Sequence, residues 1–239
     1  MTPVALYMGA EHECGYLPGK WARMIYVAPR VRLDKARYTE LAASGFRRSG
    51  DWVYRPACEG CSACVPVRLP VAEFEPNRAQ RRTMKINADL VVVQRPAVFD
   101  RRHYRLYQRY LRARHADGQM SESSPEEYLQ FLSCGWGDTA FYEFLMNGDL
   151  VAVAVVDHLD DGLSAVYTFY DPDQMHRSLG TFAVLWQIGE ARRRGLPWLY
   201  LGFWISACRK MAYKGAFRPL QALIDSRWVR LDKGKNGLD

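Results

Sequence analysis

The sequence predicts an α/β (α+β) fold in two packed parts, residues 1–95 and 96–239. Three observations lead there. Strand-like and helix-like segments alternate, most clearly in the second part. Turn residues separate them at short intervals. With 49% hydrophobic residues, a chain of 239 residues can bury a sizeable core. The seam at Arg95-Pro96 is short, so the two parts are expected to pack tightly.

The first part opens with turn chemistry at Gly15, Pro18 and Gly19, followed by a strand over residues 21–27. The run GYLPGK looks like a phosphate loop, but it is one residue short and Trp21 stands where Ser or Thr is needed. Asp34 caps a helix running to residue 43, and Gly45 stops it. Residues 46–55 read as a hairpin turning at Ser49-Gly50-Asp51.

Cys58, Cys61 and Cys64 then form a C-x2-C-x2-C run. A short loop lets successive soft thiolates converge on one metal, zinc or an iron–sulfur cluster. Cys14 is the natural fourth ligand, with His12 beside it. Clustered cysteines also pack as small hydrophobes. Downstream, Arg78, Arg81, Arg82 and Lys85 share one helix face, after a start signal at Pro76-Asn77. Like charges so placed repel by roughly a few tenths of a kcal/mol per pair. A bound anion would offset that; a solvated basic face is the alternative. A strand over residues 89–94 ends this part.

In the second part, residues 99–114 form a helix whose Tyr104, Tyr107 and Tyr110 read as core rather than a base-stacking surface. Ser124-Pro125-Glu126-Glu127 starts another helix. Strands over 139–145 and 150–158 join at Asn147-Gly148, a strong hairpin signal. A third strand covers 163–170. Ser178 opens a helix with Phe182, Leu185, Trp186 and Gly189 on one face, ended by Gly195. A buried strand over 198–203, a short helix over 206–213 and a strand over 228–231 complete the pattern, and the last several residues read as disordered.

Two helices, three meandering strands, a central helix, then strand, helix and strand is the order of an acetyltransferase-like (GNAT-type) fold. In that fold the free N–H groups at the start of the central helix hold the acyl donor's phosphates. Here the loop is Arg177-Ser178-Leu179-Gly180-Thr181-Phe182, with Phe182 where a small residue is usual, so coenzyme A is not expected.

A net charge of +7 and a pI near 9.1 favour an acidic partner such as nucleic acid. Residues 1–10 lack the basic start of a signal peptide, and no apolar run approaches the ~18 residues of a membrane span. Six cysteines, three of them clustered, point to metal or redox chemistry in a reducing cytoplasm rather than to a disulfide framework.

Six ordered blocks now bear on family: CGYLP from Cys14, GFRRSG from Gly45, YRPACEGCSACVPVR from Tyr54, PNRAQRR from Pro76, TFYDP from Thr168 and LYLGFWISACRKMAYKGAFRP from Leu199. Together they resemble the bacterial aspartate/glutamate leucyltransferases, leucyl-tRNA–protein transferases of the arginyltransferase family. The resemblance implies transfer of leucine from leucyl-tRNA to an N-terminal Asp or Glu, which makes an N-degron for proteolysis. It also implies an acetyltransferase-like fold that has exchanged coenzyme A for aminoacyl-tRNA. Eukaryotic relatives carry C-x-x-C at the Cys14 position, where Leu17 replaces the second cysteine, so their cysteine site does not carry over by motif identity.

The chemistry then expected is spare. The aminoacyl ester is already activated, so no ATP is needed. An α-amino group of pKa about 7.7–8.0 is partly neutral at pH 7 and can attack directly. Asp171, at a strand end, is the first choice to hold or deprotonate it, with Asp-Pro turn chemistry as the alternative; Asp157 is the second choice. An acidic acceptor side chain needs a buried cation; Arg78, Arg81, Lys210, Lys214 and Arg218 are the pool, undivided between acceptor carboxylate and tRNA phosphate, with Arg82 and Lys85 expected on phosphate and Arg78 on the carboxylate. Cys208 lacks a histidine partner and reads as packing. Two other classes fit the same residues: a coenzyme A-dependent N-acetyltransferase with a structural metal, and a non-enzymatic metal-containing RNA-binding module.

Overall fold

A computed structural model of the protein describes residues 3–114 and 123–231; the C-terminal residues expected to be disordered fall mostly outside them. In chain order the first elements are β1 (Leu6–Met8), β2 (His12–Glu13), β3 (Trp21–Ala22), β4 (Met24–Val27), α1 (Lys35–Ala43), β5 (Arg47–Ser49) and β6 (Trp52–Pro56). Next come β7 (Val65–Pro70), α2 (Arg78–Ile86), β8 (Val91–Pro96), α3 (Arg101–Arg114) and α4 (Pro125–Leu132). The chain continues with β9 (Thr139–Met146), β10 (Asp149–His158), β11 (Gly162–Tyr170), α5 (Leu179–Arg193) and β12 (Trp198–Trp204). It closes with α6 (Arg209–Ala212), β13 (Leu220–Ile224) and β14 (Arg227–Leu231).

The strands build a large mixed sheet in the order β14-β13-β7-β12-β11-β10-β9-β8, and a four-stranded sheet in the order β1-β4-β6-β5. Among the described residues, only β11 and β12 of the large sheet run parallel. The fold is thus mixed α/β around one large sheet. The expected seam at residues 95 and 96 falls inside β8, which pairs with β9, while β7 lies between β12 and β13. Both parts of the chain therefore contribute to one sheet.

Local chemistry sets most boundaries. The Asp34 carboxylate accepts from Arg37 N at 2.8 Å and starts α1. Asn77 and Gln80 form a reciprocal capping box at α2, as Ser124 and Glu127 do at α4 with Pro125 in the first turn. Departures have local causes too. The strand expected over 21–27 splits at Arg23 into β3 and β4, which join different sheets. The sequence VPVRLP, which forms β7, carries two prolines that mask a strand signal. The strand β13 was not anticipated; it follows Arg218-Pro219 directly. The short helix expected over 206–213 is α6 followed by a 3-10 turn, Tyr213–Ala216.

One face of the large sheet packs on α5, through Phe144, Val156, Leu163, Ala183, Ile188 and Leu199. The other face packs on α3 and α4, through Leu106, Tyr107, Tyr128, Phe141, Val153 and Phe169. Covered on both faces, β10 reads as a continuous apolar run rather than an alternating one. Tyr107 has no exposed surface, so the tyrosine stripe of α3 is core. No helix among the described residues is long and apolar enough to cross a membrane.

The small sheet is tied to the large one by a buried ion pair. Arg48 on β5 donates from Nε and Nη2 to the two oxygens of Asp157 on β10, both at 2.7 Å. Thr139 Oγ1 donates to Asp157 Oδ1 at 2.7 Å, and Arg48 Nη2 also reaches Leu132 O at 3.0 Å. The Arg48 side chain is 0% exposed and that of Asp157 3%. The carboxylate expected as second-choice base is thus enclosed and occupied by donors of its own fold. Removing one partner of a buried pair strands the other's charge, at about 3–5 kcal/mol. Asp157→Ala and Arg48→Met should each lower unfolding free energy by that order in urea titrations. The double variant should lose clearly less than the sum.

Candidate active site

The site grows out of the one parallel pairing. Gly162–Ser164 of β11 pair with Trp198–Tyr200 of β12, and beyond that register the two strands share no further pairs. β11 continues to Tyr170 and β12 to Trp204, so a cleft opens between their C-terminal ends. Such ends are where open α/β sheets commonly take ligands.

Arg47 enters this opening from β5. Its Nη1 donates to Ser164 Oγ at 3.1 Å and its Nη2 to Ala165 O at 2.7 Å. Room for the guanidinium comes from Gly202, at φ +76° beside a register shift in β12. A Cβ at Gly202 would sit 2.9 Å from Arg47 Cζ. The residue after that glycine holds the second cation: Lys214, 7% exposed, donates from Nζ to Phe203 O at 2.6 Å and lies 3.4 Å from Met211 Sδ. Burial, then the charge of Arg47, push the Lys214 ammonium down to about 7.

Tyrosines line the walls. Directly opposed residues run Tyr7, Tyr26, Tyr54 and Arg47 across all four strands of the small sheet. Their rings lie 5.4 Å apart for Tyr7–Tyr26 and 6.0 Å for Tyr26–Tyr54, and Tyr54 meets Phe203 at 6.2 Å. Burial pushes the Tyr16 hydroxyl up to about 12, and it feels both Tyr54 and Arg47. Tyr213 exposes 47% of its surface; its hydroxyl is raised by burial and senses Arg47 and Tyr170. On the β11 side, Tyr170 accepts from Arg114 Nη2 at 2.7 Å. Its ring lies against Gly180 in the first turn of α5, where a Cβ would sit 3.2 Å from it.

Asp171 follows Tyr170. Its Oδ1 accepts from Arg109 Nη2 at 2.8 Å and from Asp173 N at 3.0 Å, capping the turn Pro172–Arg177. Turn chemistry is therefore present, through one oxygen; Oδ2 makes no hydrogen bond with the described residues, and the side chain is 17% exposed. Arg177, the basic residue expected at a phosphate loop, is turned to Asp89 through two bonds of 2.8 and 3.1 Å and to Ile86 O.

The four predicted metal ligands come together in one region. The Cys64 thiol is pushed up to about 12, by burial first and then by Cys14, Cys58, Cys61 and Cys208. Among the described residues no three of these sulfurs lie within 4.8 Å of one another. Thiolates that repel one another are nonetheless the donor set a soft or borderline cation needs, because the ion reverses the sign of that interaction. The group that does lie within 4.8 Å is Asp100, His103 and Glu143. There Arg95 and Arg102 already pair with Glu143, so the cluster is neutralised by protein cations.

The remaining predicted cations do not enter the cleft. Arg78, Arg81, Arg82 and Lys85 are exposed on α2, and Lys210 is exposed on α6. Arg218 donates to Gly215 O at 2.9 Å and Leu231 O at 2.7 Å. The opposite face of α2 braces the site: Gln80 Nε2 donates to Ala216 O at 3.1 Å, beside Lys214, and Asn87 Nδ2 to Arg177 O at 2.8 Å, beside α5. Arg47, Tyr16, Tyr54 and Gly202 were not singled out from sequence. The readable signal was Gly202, a lone glycine inside an apolar strand.

Comparison with known proteins settles the family. Residues 12–82 match the N-terminal family model of arginine-tRNA-protein transferase, and residues 102–224 match its C-terminal model. The chain belongs to the arginine-tRNA-protein transferase family. Among relatives, the aspartate/glutamate leucyltransferase of Marinobacter nauticus is 55% identical, over 95% of this chain and 96% of its own. Its counterpart in Nitrosococcus oceani is 50% identical over 93% and 94%, and that of Pseudomonas aeruginosa 48% over 97% and 100%. A solved C-terminal DUF2156 domain from Agrobacterium fabrum superposes with a TM-score of 0.51 at 12% identity. That match covers 80% of this chain and 62% of the other, and it bears on fold alone.

Within this transferase the lowered Lys214 pKa has a sign that can be checked. Between about 7 and its ordinary 10.5, the unfolded chain binds more protons at Lys214 than the folded one. Stability must then rise with pH across that window, by up to about 1.4 kcal/mol per unit. Urea midpoints at pH 7, 8 and 9 should show wild type gaining on Lys214→Met. Parallel pH curves would contradict the burial of a titrating ammonium there.

Proposed function

We propose that this chain moves leucine from leucyl-tRNA to the N-terminal Asp or Glu of acceptor proteins, creating an N-degron for proteolysis in the cytoplasm. The observation that carries the reading is near-full-length identity of 48–55% to relatives bearing the name aspartate/glutamate leucyltransferase. The cleft between β11 and β12 supports it. Two parallel strands that part, connected by a helix that starts at the head of the cleft, fit an acetyltransferase-like (GNAT-type) reading, and the DUF2156 likeness is compatible with it.

In the reaction, the acceptor's neutral α-amine attacks the carbonyl carbon of the leucyl ester. A C–N bond forms, the C–O bond to the terminal ribose breaks, and the ribose oxygen leaves with a proton. Because the ester supplies the driving force, neither ATP nor coenzyme A enters the step. Asp171 Oδ2 is suited to hold the ammonium and take its proton, while Arg109 on Oδ1 fixes the carboxylate. Arg177 committed to Asp89, and Tyr170 lying over Gly180, support a donor other than coenzyme A. The exposed cations of α2 fit tRNA phosphates, as does the exposed Lys210 on α6. Cys14, Cys58, Cys61 and Cys64 would hold zinc or an iron–sulfur cluster, which would cross-link the β2–β3 loop to the segment before β7.

The test is to incubate the purified protein with charged leucyl-tRNA and peptides beginning with Asp or Glu, without coenzyme A. Leucine should reach the peptide's α-amine. Acetyl transfer from acetyl-coenzyme A, or tight RNA binding with no transfer, would instead select one of the two other classes. The same preparation should contain zinc or iron, and Cys61→Ser should lose metal and melting temperature together.

A residue on tRNA phosphate releases counterions when it binds. Arg82→Ala and Lys85→Ala should each flatten the log–log salt dependence of leucyl-tRNA affinity by about 0.7–0.9 per contact. Unchanged slopes for both would leave α2 an ordinary solvated helix.

A further inference from the structure

Two cations share the base of the cleft without an anion. Arg47 lies over Gly202, and Lys214 is bonded to the carbonyl of Phe203, the next residue, so they flank one stretch of β12. Their hydrogen-bond partners among the described residues are a serine hydroxyl, two carbonyls and a thioether. Elsewhere the fold treats covered cations differently: Arg48 has Asp157, Arg177 has Asp89, and Arg194 has Glu190. Arg192 and Arg218 also lack carboxylates, but each spreads one charge over two carbonyls. Placing two like charges side by side under cover is unfavourable unless a third group completes the site.

We infer that Arg47 and Lys214 together form the binding site for the side-chain carboxylate of the acceptor's N-terminal residue. This rests on the leucyl-transfer reading and deepens it. Donor capacity suits the ligand. Of the five N–H groups of Arg47 two are engaged, and of the three on Lys214 one binds a carbonyl and one faces sulfur. The free donors that remain can close on a carboxylate from two sides. Burial selects a small anion on a short stem, since Lys214 is only 7% exposed. A phosphodiester with its flanking sugars is better served by the open face of α2. The opposite charge sits on the neighbouring strand: Asp171 follows Tyr170 at the end of β11, with one oxygen held by Arg109. An acceptor residue bearing an ammonium and a carboxylate thus meets an anion toward the end of β11 and two cations beside β12. None of the six cations expected from sequence to bind substrate is Arg47, and Lys214 was one undifferentiated member of that pool.

The experiment compares kcat/KM for peptides beginning with Asp, Glu, Asn and Gln, at saturating leucyl-tRNA, in wild type, Arg47→Gln and Lys214→Met. Wild type should prefer Asp over Asn by roughly tenfold to a hundredfold. Each variant should cut that preference at least tenfold, mainly through peptide KM, with leucyl-tRNA affinity unchanged. Arg47→Lys, which keeps the charge, should retain most of it. A variant that melts cooperatively yet keeps the full Asp-over-Asn preference overturns the assignment. Should the variants not fold, wild type still decides. Aspartic acid amide should raise its melting temperature, asparagine amide should not, and equal shifts overturn the assignment. Failure of wild type to transfer leucine to any peptide would instead count against the leucyl-transfer reading, while the amide melts continue to report on the pocket.

Discussion

Two successive arginines on β5 point to opposite faces of the small sheet, and the candidate active site depends on that alternation. Arg48 turns inward and is locked to Asp157 by two bonds of 2.7 Å. Arg47 therefore turns outward, into the opening between β11 and β12. A one-residue slip of β5 would exchange them, burying the wrong guanidinium and emptying the cleft. The buried pair costs desolvation and adds little net stability beyond an apolar substitute. What it contributes is register, holding a sheet built from the first part of the chain against the strand end that carries the candidate site.

The cleft itself is made by what β12 lacks. Gly202 adopts a positive φ, shifts the register against β7, and carries no Cβ where the Arg47 guanidinium lies. The same bend presents the Phe203 carbonyl to Lys214. One irregular residue in an otherwise regular strand thereby seats both cations. Their cost is electrostatic and is felt by Lys214, whose ammonium is pushed down to about 7 by burial and by its neighbour. A site under such repulsion is poised for an anion, which relieves it on binding.

The basic helix joins parts of this arrangement that are distant in sequence. On its covered side Gln80 bonds beside Lys214, and Asn87 bonds at the head of α5. On its open side Arg78, Arg82 and Lys85 face solvent. A partner docking on the open face would lie across α2 from both of these contacts. Of the cluster cysteines, Cys64 is close enough to Lys214 to act on its charge, as is Cys208.

Much was legible from sequence, because local rules decide it. Asp34, Asn77 and Ser124 start helices wherever they precede a suitable run, and the Asn147-Gly148 turn needs no distant help. The α/β character, the tyrosine core of α3 and the family blocks follow from pattern in the same way. Asp157 and Asp171 stand alike at strand ends, so sequence could not tell that one is enclosed by Arg48 while the other keeps an oxygen free. Equally, β7 was hidden by its prolines, and its place between β12 and β13 is a long-range choice. Arg47 and Lys214 are 167 positions apart in the chain. The sequence by itself determined which segments fold locally and what family chemistry they serve. Only the tertiary structure decided which charges are paired, because pairing depends on strand register and on a glycine bend that brings remote residues to one stretch of backbone.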